Sequence, residues 1–419
     1  MPLSKAFERR LLPQLPEIVR QFGTPFHLYD ETGIRRTCQE FQQAFAGEAF
    51  RQYFAVKALP NPWIMAILRE EGMGFDCASV PELELAQWAG AAGEALFFTS
   101  NNTQLHEFAR AQALNAIINL DDSSFVDQLS PFPALACFRV SNDLIDRQCG
   151  LMGSAQTSKF GLPEASLEAA YAAARAAGAT RFGLHAMLCS NELNANRAIE
   201  LAEQIFARAA KLCTALAIPL EFINIGGGIG IPYRPEESAF DFPAFAAGVL
   251  SRKRRYFNGP QIPSLYTECG RYVTGPHGVL VTRVTNVMHK RRNIIGVNAS
   301  MSALMRPAMY ADAYHHITLP FTEPSEQITA DVVGSLCENI DKFAILRRLP
   351  KPAPGDILLI HDTGAHGAAM GFNYNGRLRP QELLLRQTGD VVLIRRAEQC
   401  QDYFATLPTQ LPESPLTLN

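Results

Sequence analysis

Short apolar runs that each end on a polar or small residue recur across the first two-thirds of the chain, and this repetition limits the fold more than any other feature. Between about residues 50 and 270 the runs end near Lys57, Asp76, Ser100, Asp121, Arg139, Met187, Gly226 and Glu268. Ala-rich segments lie between them, among them 81–91, 163–177 and 193–216, with apolar residues at three- and four-residue spacing. Buried strands alternating with amphipathic helices predict an α/β fold, a parallel (β/α)8 barrel of the TIM type. A doubly wound sheet uses the same alternation but gathers its ligand residues at one switch point. Functional residues at nearly every strand end suit the mouth of a barrel better.

After Tyr272 the texture changes. Segments 278–285, 293–298, 328–334, 356–361 and 382–395 are β-rich and punctuated by Pro and Gly, which predicts a second, mostly antiparallel β domain. The division expected is a barrel over 30–275 and a β domain over 276–419. Residues 1–29, with the strand-like Phe26-His-Leu-Tyr29, are expected to join the latter. The proline-containing tail 408–419 is expected to be loosely ordered.

Three strand-end segments carry chemistry. Lys57 follows Phe54-Ala-Val, so its amine emerges from an apolar wall, a setting that favours a nucleophile. Alone, a lysine after a strand is ordinarily a surface residue. Gly226-Gly-Gly-Ile-Gly230 follows the apolar run Leu220-Glu-Phe-Ile-Asn-Ile225, and consecutive glycines let backbone N–H groups approach an anion. A plain strand-to-helix turn is the bland alternative. The spacing is not that of a dinucleotide fingerprint, and no Walker lysine follows. Glu268 ends Ser264-Leu-Tyr-Thr, with Arg271 close behind; by themselves the two form no more than a salt bridge. Together the segments supply an amine for an aldehyde, a phosphate cradle and a carboxylate for a pyridinium nitrogen. Those are the parts needed to hold pyridoxal phosphate.

The set resembles the fold-type III pyridoxal-phosphate decarboxylases, the group of ornithine and diaminopimelate decarboxylases, over nearly the whole chain. The resemblance implies that Lys57 condenses with the cofactor aldehyde and that Asp76, in Phe75-Asp-Cys-Ala-Ser79, lies near the cofactor. Gly226, Gly227, Gly228, Gly270 and Arg271 become the phosphate site and Glu268 the pyridinium partner. Cys337-Glu-Asn-Ile-Asp341 is similar to a motif whose cysteine reaches across a homodimer interface to protonate Cα after CO2 leaves. In that motif Glu338 binds the distal ammonium; without it, Cys337 reads as a buried small hydrophobe. Arg306-Pro-Ala-Met-Tyr310 resembles the element that binds a distal carboxylate, with Arg271 as a further substrate contact. Asn373-Tyr374-Asn375 matches a segment whose tyrosine lies over cofactor and substrate.

Three departures from the family pattern stand out. Cys269 replaces proline in Glu-Pro-Gly-Arg, and His366 replaces tyrosine in Gly-Ala-Tyr. The usual His-x-Gly-Ser, whose histidine stacks on the ring, reads Met187-Leu-Cys-Ser190. Either His185 takes over the stacking or Met187 covers the ring, and a satisfied core histidine is the competing reading of His185. Ser190 keeps its place as a phosphate contact.

The resemblance favours meso-2,6-diaminopimelate as substrate, decarboxylated to L-lysine, because an Arg–Tyr pair with an ammonium-binding Glu specifies an amino-acid terminus. Decarboxylation of D-ornithine, D-lysine or carboxynorspermidine is the alternative. A racemase fits less well with Glu268 at the ring nitrogen, and a non-catalytic regulatory homologue is a remote reading.

Bulk properties bound the partners. The 419 residues are 47% hydrophobic and 19% charged, with a net charge of -3. Arg252-Lys-Arg-Arg255 and Lys290-Arg-Arg292 are short runs of the kind found on solvated faces, so a small amino-acid substrate is expected rather than nucleic acid. Nine scattered cysteines without CxxC spacing argue against a disulfide framework or a metal site. The early charges Lys5, Glu8, Arg9 and Arg10 leave no apolar signal core, and no run approaches membrane-spanning length. A cytoplasmic protein without a membrane span is expected.

Overall fold

The computed structural model describes residues 3–141, 158–187, 189–323 and 326–408. The tail from 409 onward and Cys149 lie outside them. Strand β1 (Phe26–Asp30) precedes eight parallel strands that close into a barrel: β2 (Phe50–Ala55), β3 (Gly74–Cys77), β4 (Leu96–Thr99), β5 (Ile117–Leu120), β6 (Leu135–Val140), β7 (Arg181–Ala186), β8 (Phe222–Asn224) and β9 (Ser264–Thr267). Each expected run end falls within two residues of an observed strand end. The expected helices are present as Val80–Trp88, Glu164–Ala176 and Ala195–Leu216. The last starts where Asn194 Oδ1 accepts the Arg197 N–H at 3.2 Å, satisfying a donor that an uncapped helix leaves unpaired.

Side-chain alternation sorts the barrel into an outer core, an inner plug and a mouth. Phe54, Phe75, Phe98, Ile118, Phe138, Leu184, Ile223 and Leu265 face outward and are buried in the core formed with the surrounding helices. The opposite parity points inward, and its lower members Tyr53, Phe97, Ile117, Leu135, Cys137 and Phe222 form a separate buried cluster with Tyr266. Phe222 and Tyr266 stack with centroids 4.5 Å apart. Glycine makes room for this plug: a Cβ at Gly183 would lie 2.2 Å from Phe222 Cζ, and one at Gly74 would lie 2.6 Å from Tyr53 Cδ1. Inner residues one pleat higher are polar except Ala55, and they meet in register: Ala55 pairs with Asp76, Thr99 with Asn119, Arg139 with His185, and His185 with Asn224. A plugged floor under a polar layer leaves the strands' C-terminal ends as the place for chemistry.

The rest of the chain adds β10 (Gly278–His289), β11 (Asn293–Val297), β12 (Ile317–Thr318), β13 (Gln327–Val333), β14 (Lys342–Pro350), β15 (Ile357–Ile360), β16 (Gln381–Leu385) and β17 (Val391–Arg395). With β1 they form, among the described residues, a nine-stranded mixed sheet ordered β14-β13-β11-β10-β1-β16-β17, to which β15 pairs along β10 and β12 along β15. Pairing is antiparallel except between β1 and β16 and between β11 and β13. Strand β1 therefore sits in this sheet, antiparallel to β10. Strands β12 and β14 have no counterpart in the sequence reading, and 382–395 proves to be a hairpin of two strands.

Candidate active site

A cavity of about 470 Å³ opens at the C-terminal ends of the barrel strands. Lys57, Asp76, His185, Met187, Ser190, Gly228, Glu268, Gly270, Arg271, Arg306, Tyr310 and His366 all line it. The site is thus assembled from both parts of the chain.

Glu268 is its most constrained group. Its Oε1 accepts from Asn224 Nδ2 at 2.8 Å, and its Oε2 lies 3.0 Å from His185 Nε2. Burial favours the protonated form, but His185, Lys57 and Arg139 together outweigh it and hold the carboxyl below its usual range. Asp76 goes the other way: burial, reinforced by the charge on Glu268, pushes it well above the usual carboxylate range. Two carboxyls in one cavity are driven apart, leaving Glu268 as the anion. Lys57 sits on the turn Val56–Ala58 just beyond β2. Its neighbours Val56 and Ala58 are buried, but its own side chain is exposed. The apolar wall expected around the amine therefore ends at the backbone, because the side chain extends past it into the open cavity.

The glycine run forms a narrow cradle. Gly226 and Gly228 have φ of +74° and +94°, in the left-handed region that favours glycine. A Cβ at Gly228 would stand 2.4 Å from Cys189 O, and one at Gly270 would stand 2.7 Å from Ala58 Cβ. Asn224 ties the cradle to Glu268, since its Oδ1 accepts the Gly226 N–H at 2.9 Å while its amide donates to the carboxylate. Gly227 departs from the expected role: it does not line the cavity, and its N–H is directed at Met187 Sδ, 3.2 Å away. His185 departs as well. Buried, with Nε2 on Glu268, it orients the carboxylate, and both it and Met187 line the cavity.

Arg271 and Arg306 bring two positive charges to the cavity, and among the described residues neither forms an ion pair with a carboxylate. Arg271 Nη1 donates to the Tyr233 hydroxyl at 2.7 Å, and the Arg306 guanidinium lies 4.4 Å from the centroid of the same ring. Arg306 is only 6% exposed, so a buried cation faces the cavity with no carboxylate in ion-pair contact among the described residues, although the buried Asp362 acts on it from beyond that distance. His366, with φ of +56°, donates its backbone N–H to Ala58 O at 2.8 Å, which places it beside the Lys57 turn.

Cys337, Glu338 and Tyr374 do not line this cavity. They form an exposed cluster in which the Cys337 N–H donates to Asn375 Oδ1 at 2.7 Å and the Tyr374 hydroxyl bonds Glu338. The thiol is exposed, which overturns its reading as a buried hydrophobe. Asp341 accounts for the end of that motif: its carboxylate accepts the Met301 N–H at 2.7 Å and the Leu336 N–H at 2.8 Å, pinning the loop.

Several participants were not singled out from the sequence. Asn224 and Thr99 follow from strand parity, being inward polar residues within apolar runs, and Arg139, named only as a run end, shares that face. Tyr233 and His315 lie in loops and carry no such signal.

The residues present suit pyridoxal phosphate. An exposed amine, an anionic carboxylate held by two donors, a cradle that a Cβ would fill and unpaired guanidiniums share one cavity. Asp76 and Thr99 place a carboxyl and a hydroxyl beside each other at the same level. The family model for the pyridoxal-binding domain of pyridoxal-dependent decarboxylases matches residues 31–275. Protein TabA of Pseudomonas amygdali pv. tabaci is 51% identical over 98% of this chain and 97% of its own. The diaminopimelate decarboxylase of Methanothermobacter thermautotrophicus is 36% identical over 92% of each chain. Among solved structures, the diaminopimelate decarboxylase of M. jannaschii in complex with L-lysine superposes with a TM-score of 0.86 at 28% identity, covering 94% of both chains. The site and these likenesses agree: the chain belongs to the pyridoxal-dependent decarboxylases, carboxy-lyases whose cofactor is pyridoxal phosphate.

Proposed function

We propose that this decarboxylase acts on meso-2,6-diaminopimelate and releases L-lysine and CO2, as a step of lysine biosynthesis. The carrying observation is Arg306, a buried cation with no carboxylate in ion-pair contact among the described residues, which shares the cavity with Lys57 and has Tyr310 beside it on the wall. A guanidinium and a phenol suit a planar carboxylate at the far end of an amino-acid substrate.

Pyridoxal phosphate, when bound, supplies the conjugated ring that accepts the electron pair left by CO2. Lys57 Nζ would hold the cofactor by its aldehyde carbon. Glu268, kept anionic by His185 and Asn224, holds a proton at the ring nitrogen. Gly228, Gly270, Arg271 and Ser190 bind the phosphate, and Met187 covers a ring face. Asp76 lies close to the cofactor. The exposed cluster of Cys337, Glu338 and Tyr374 is read as serving a second copy of the chain in a homodimer. There the thiol protonates Cα, the glutamate receives the far ammonium and the tyrosine lies over the substrate. Exposure of all three away from their own cavity supports this reading. The same proposal divides the chain into a cofactor-binding barrel over 30–275 and a β domain over 276–419 joined by residues 1–29. It also places the protein in the cytoplasm, in keeping with eight described free cysteines.

The test is CO2 and lysine release from meso-diaminopimelate by the holoenzyme, with D-ornithine, D-lysine and carboxynorspermidine as competitors. Faster turnover of a competitor refutes the substrate. In the same assay Lys57→Ala and Cys337→Ala chains, each inactive, should recover part of their activity when mixed under subunit exchange; verified heterodimers without recovery refute the shared site.

A further inference from the structure

A buried arginine is usually held by a carboxylate, which fixes its place but also cancels its charge. Arg306 is held differently. Its Nη1 donates to His315 Nε2 at 3.0 Å, and its plane rests over Tyr233. His315 is fully buried, and its Nδ1 lies 2.7 Å from His361 O. A guanidinium only donates and a carbonyl only accepts, so both ring nitrogens are determined: Nδ1 carries the proton and Nε2 offers its lone pair. Burial, together with the neighbouring Arg306 charge, pushes the His315 pKa down to about 3, so the ring adds no second cation. The edge of Tyr233 packs on the imidazole with centroids 5.1 Å apart, and its hydroxyl accepts from Arg271. The result is a scaffold that orients one guanidinium N–H and leaves the charge and the remaining donors available to an anion.

We infer that His315 is a positioning residue for substrate recognition: held by the His361 carbonyl, it sets the Arg306 guanidinium on Tyr233 without neutralising it, and so fixes where the far carboxylate of the substrate is received. The inference rests on the proposed role of Arg306 and adds the device that makes Arg306 selective. It requires the acceptor at position 315 to be uncharged. Glutamine preserves the arrangement, alanine leaves Arg306 unplaced, and glutamate places it but consumes its charge.

The test titrates holoenzyme variants with L-lysine and with 1,5-diaminopentane, which is lysine without its carboxylate, following the absorbance of the bound cofactor. His315→Ala and His315→Glu should each weaken lysine binding about tenfold, the order expected for one charge-assisted hydrogen bond, and leave the diamine within about twofold. His315→Gln should keep both ligands within about threefold of wild type. The KM for meso-diaminopimelate should follow lysine binding, with kcat little changed. Arg306→Ala is measured alongside. If it fails to separate the two ligands, the assignment of the far carboxylate to Arg306 is wrong. If it separates them but folded His315→Ala and His315→Glu do not, or weaken both ligands equally, the role of His315 alone is overturned. Should His315→Ala not fold, the contrast between glutamine and glutamate decides: equal lysine binding by the two refutes the inference.

Discussion

Replacing His185 by leucine should weaken Glu268's contribution to stability in a pH-dependent way. In the native protein Glu268 receives one bond from Asn224 and one from His185 in a buried site, and its carboxyl is held below the usual range. Such a group stabilises the fold above the unfolded-state pKa of about 4.3, and that contribution is lost as pH falls through the folded-state value. Leucine fills much the same space but donates nothing, so burial, the largest influence on this carboxyl, is then opposed only by Asn224, Lys57 and Arg139. Glutamine at the same position keeps an N–H within reach, and neither variant carries a titrating imidazole, so their difference isolates the hydrogen bond. A bond to a charged group contributes about 1.5–3 kcal/mol, equivalent to raising the carboxyl by roughly one to two pH units. His185→Leu and His185→Gln should therefore be about equally stable at pH low enough to protonate Glu268 in both folded variants. The leucine variant should fall behind as pH rises through the folded-state titration of Glu268, and the gap should stay at about 1.5–3 kcal/mol above that. Urea unfolding of the apo-protein at half-unit pH steps measures this. A gap that does not change with pH means His185 acts through packing alone, and no gap at all means Glu268 does not depend on it.

Two further outcomes follow from the cavity. Gly228→Ala forces a Cβ to 2.4 Å from Cys189 O at a φ of +94°, so the cradle must open; a loss of at least about tenfold in pyridoxal phosphate affinity by absorbance titration is expected, and unchanged affinity would remove the glycine run from the phosphate site. Asp76→Asn removes a carboxyl whose pKa burial raises, and such a group costs stability once pH exceeds its unfolded value of about 3.9, so in urea unfolding the apo-protein should gain stability at pH 7 and nothing below about pH 4, and an equal effect at both pH values would refute this.

What was legible in the sequence was whatever one strand states on its own. Each barrel run could be ended correctly because a polar residue interrupts apolar neighbours at the mouth, where solvent and ligand replace the packing of the layer below. Strand β14 was illegible for the opposite reason. Ile345 and Leu346 are exposed, Leu346 has a φ of +48°, and its N–H is taken by Asp331 Oδ1, so the alternation that marks a strand is broken halfway. The two-residue β12 is too short to carry a period. His315 was hidden because its meaning lies in partners distant in sequence, Tyr233 from the loop beyond the glycine run and His361 from the end of β15.

The same parity explains why the family pattern predicted His185 poorly. Gly183, His185 and Met187 share one face of β7 and its extension, at rising heights in the barrel. The lowest must be small because Phe222 fills the floor. The middle one meets Glu268 and Asn224 at the polar layer while still lining the cavity, and the highest meets the glycine cradle, its Sδ 3.2 Å from Gly227 N. A residue's height on the strand, more than its chemical type, decides whether it touches a ligand or supports a neighbour that does. An imidazole at 185 therefore cannot replace one at 187, because it stands one pleat too low and is already committed to the carboxylate. At the next height the family pattern has a histidine where this chain has a thioether, and the cavity's other lining histidine, His366, is held beside Ala58 by its backbone N–H.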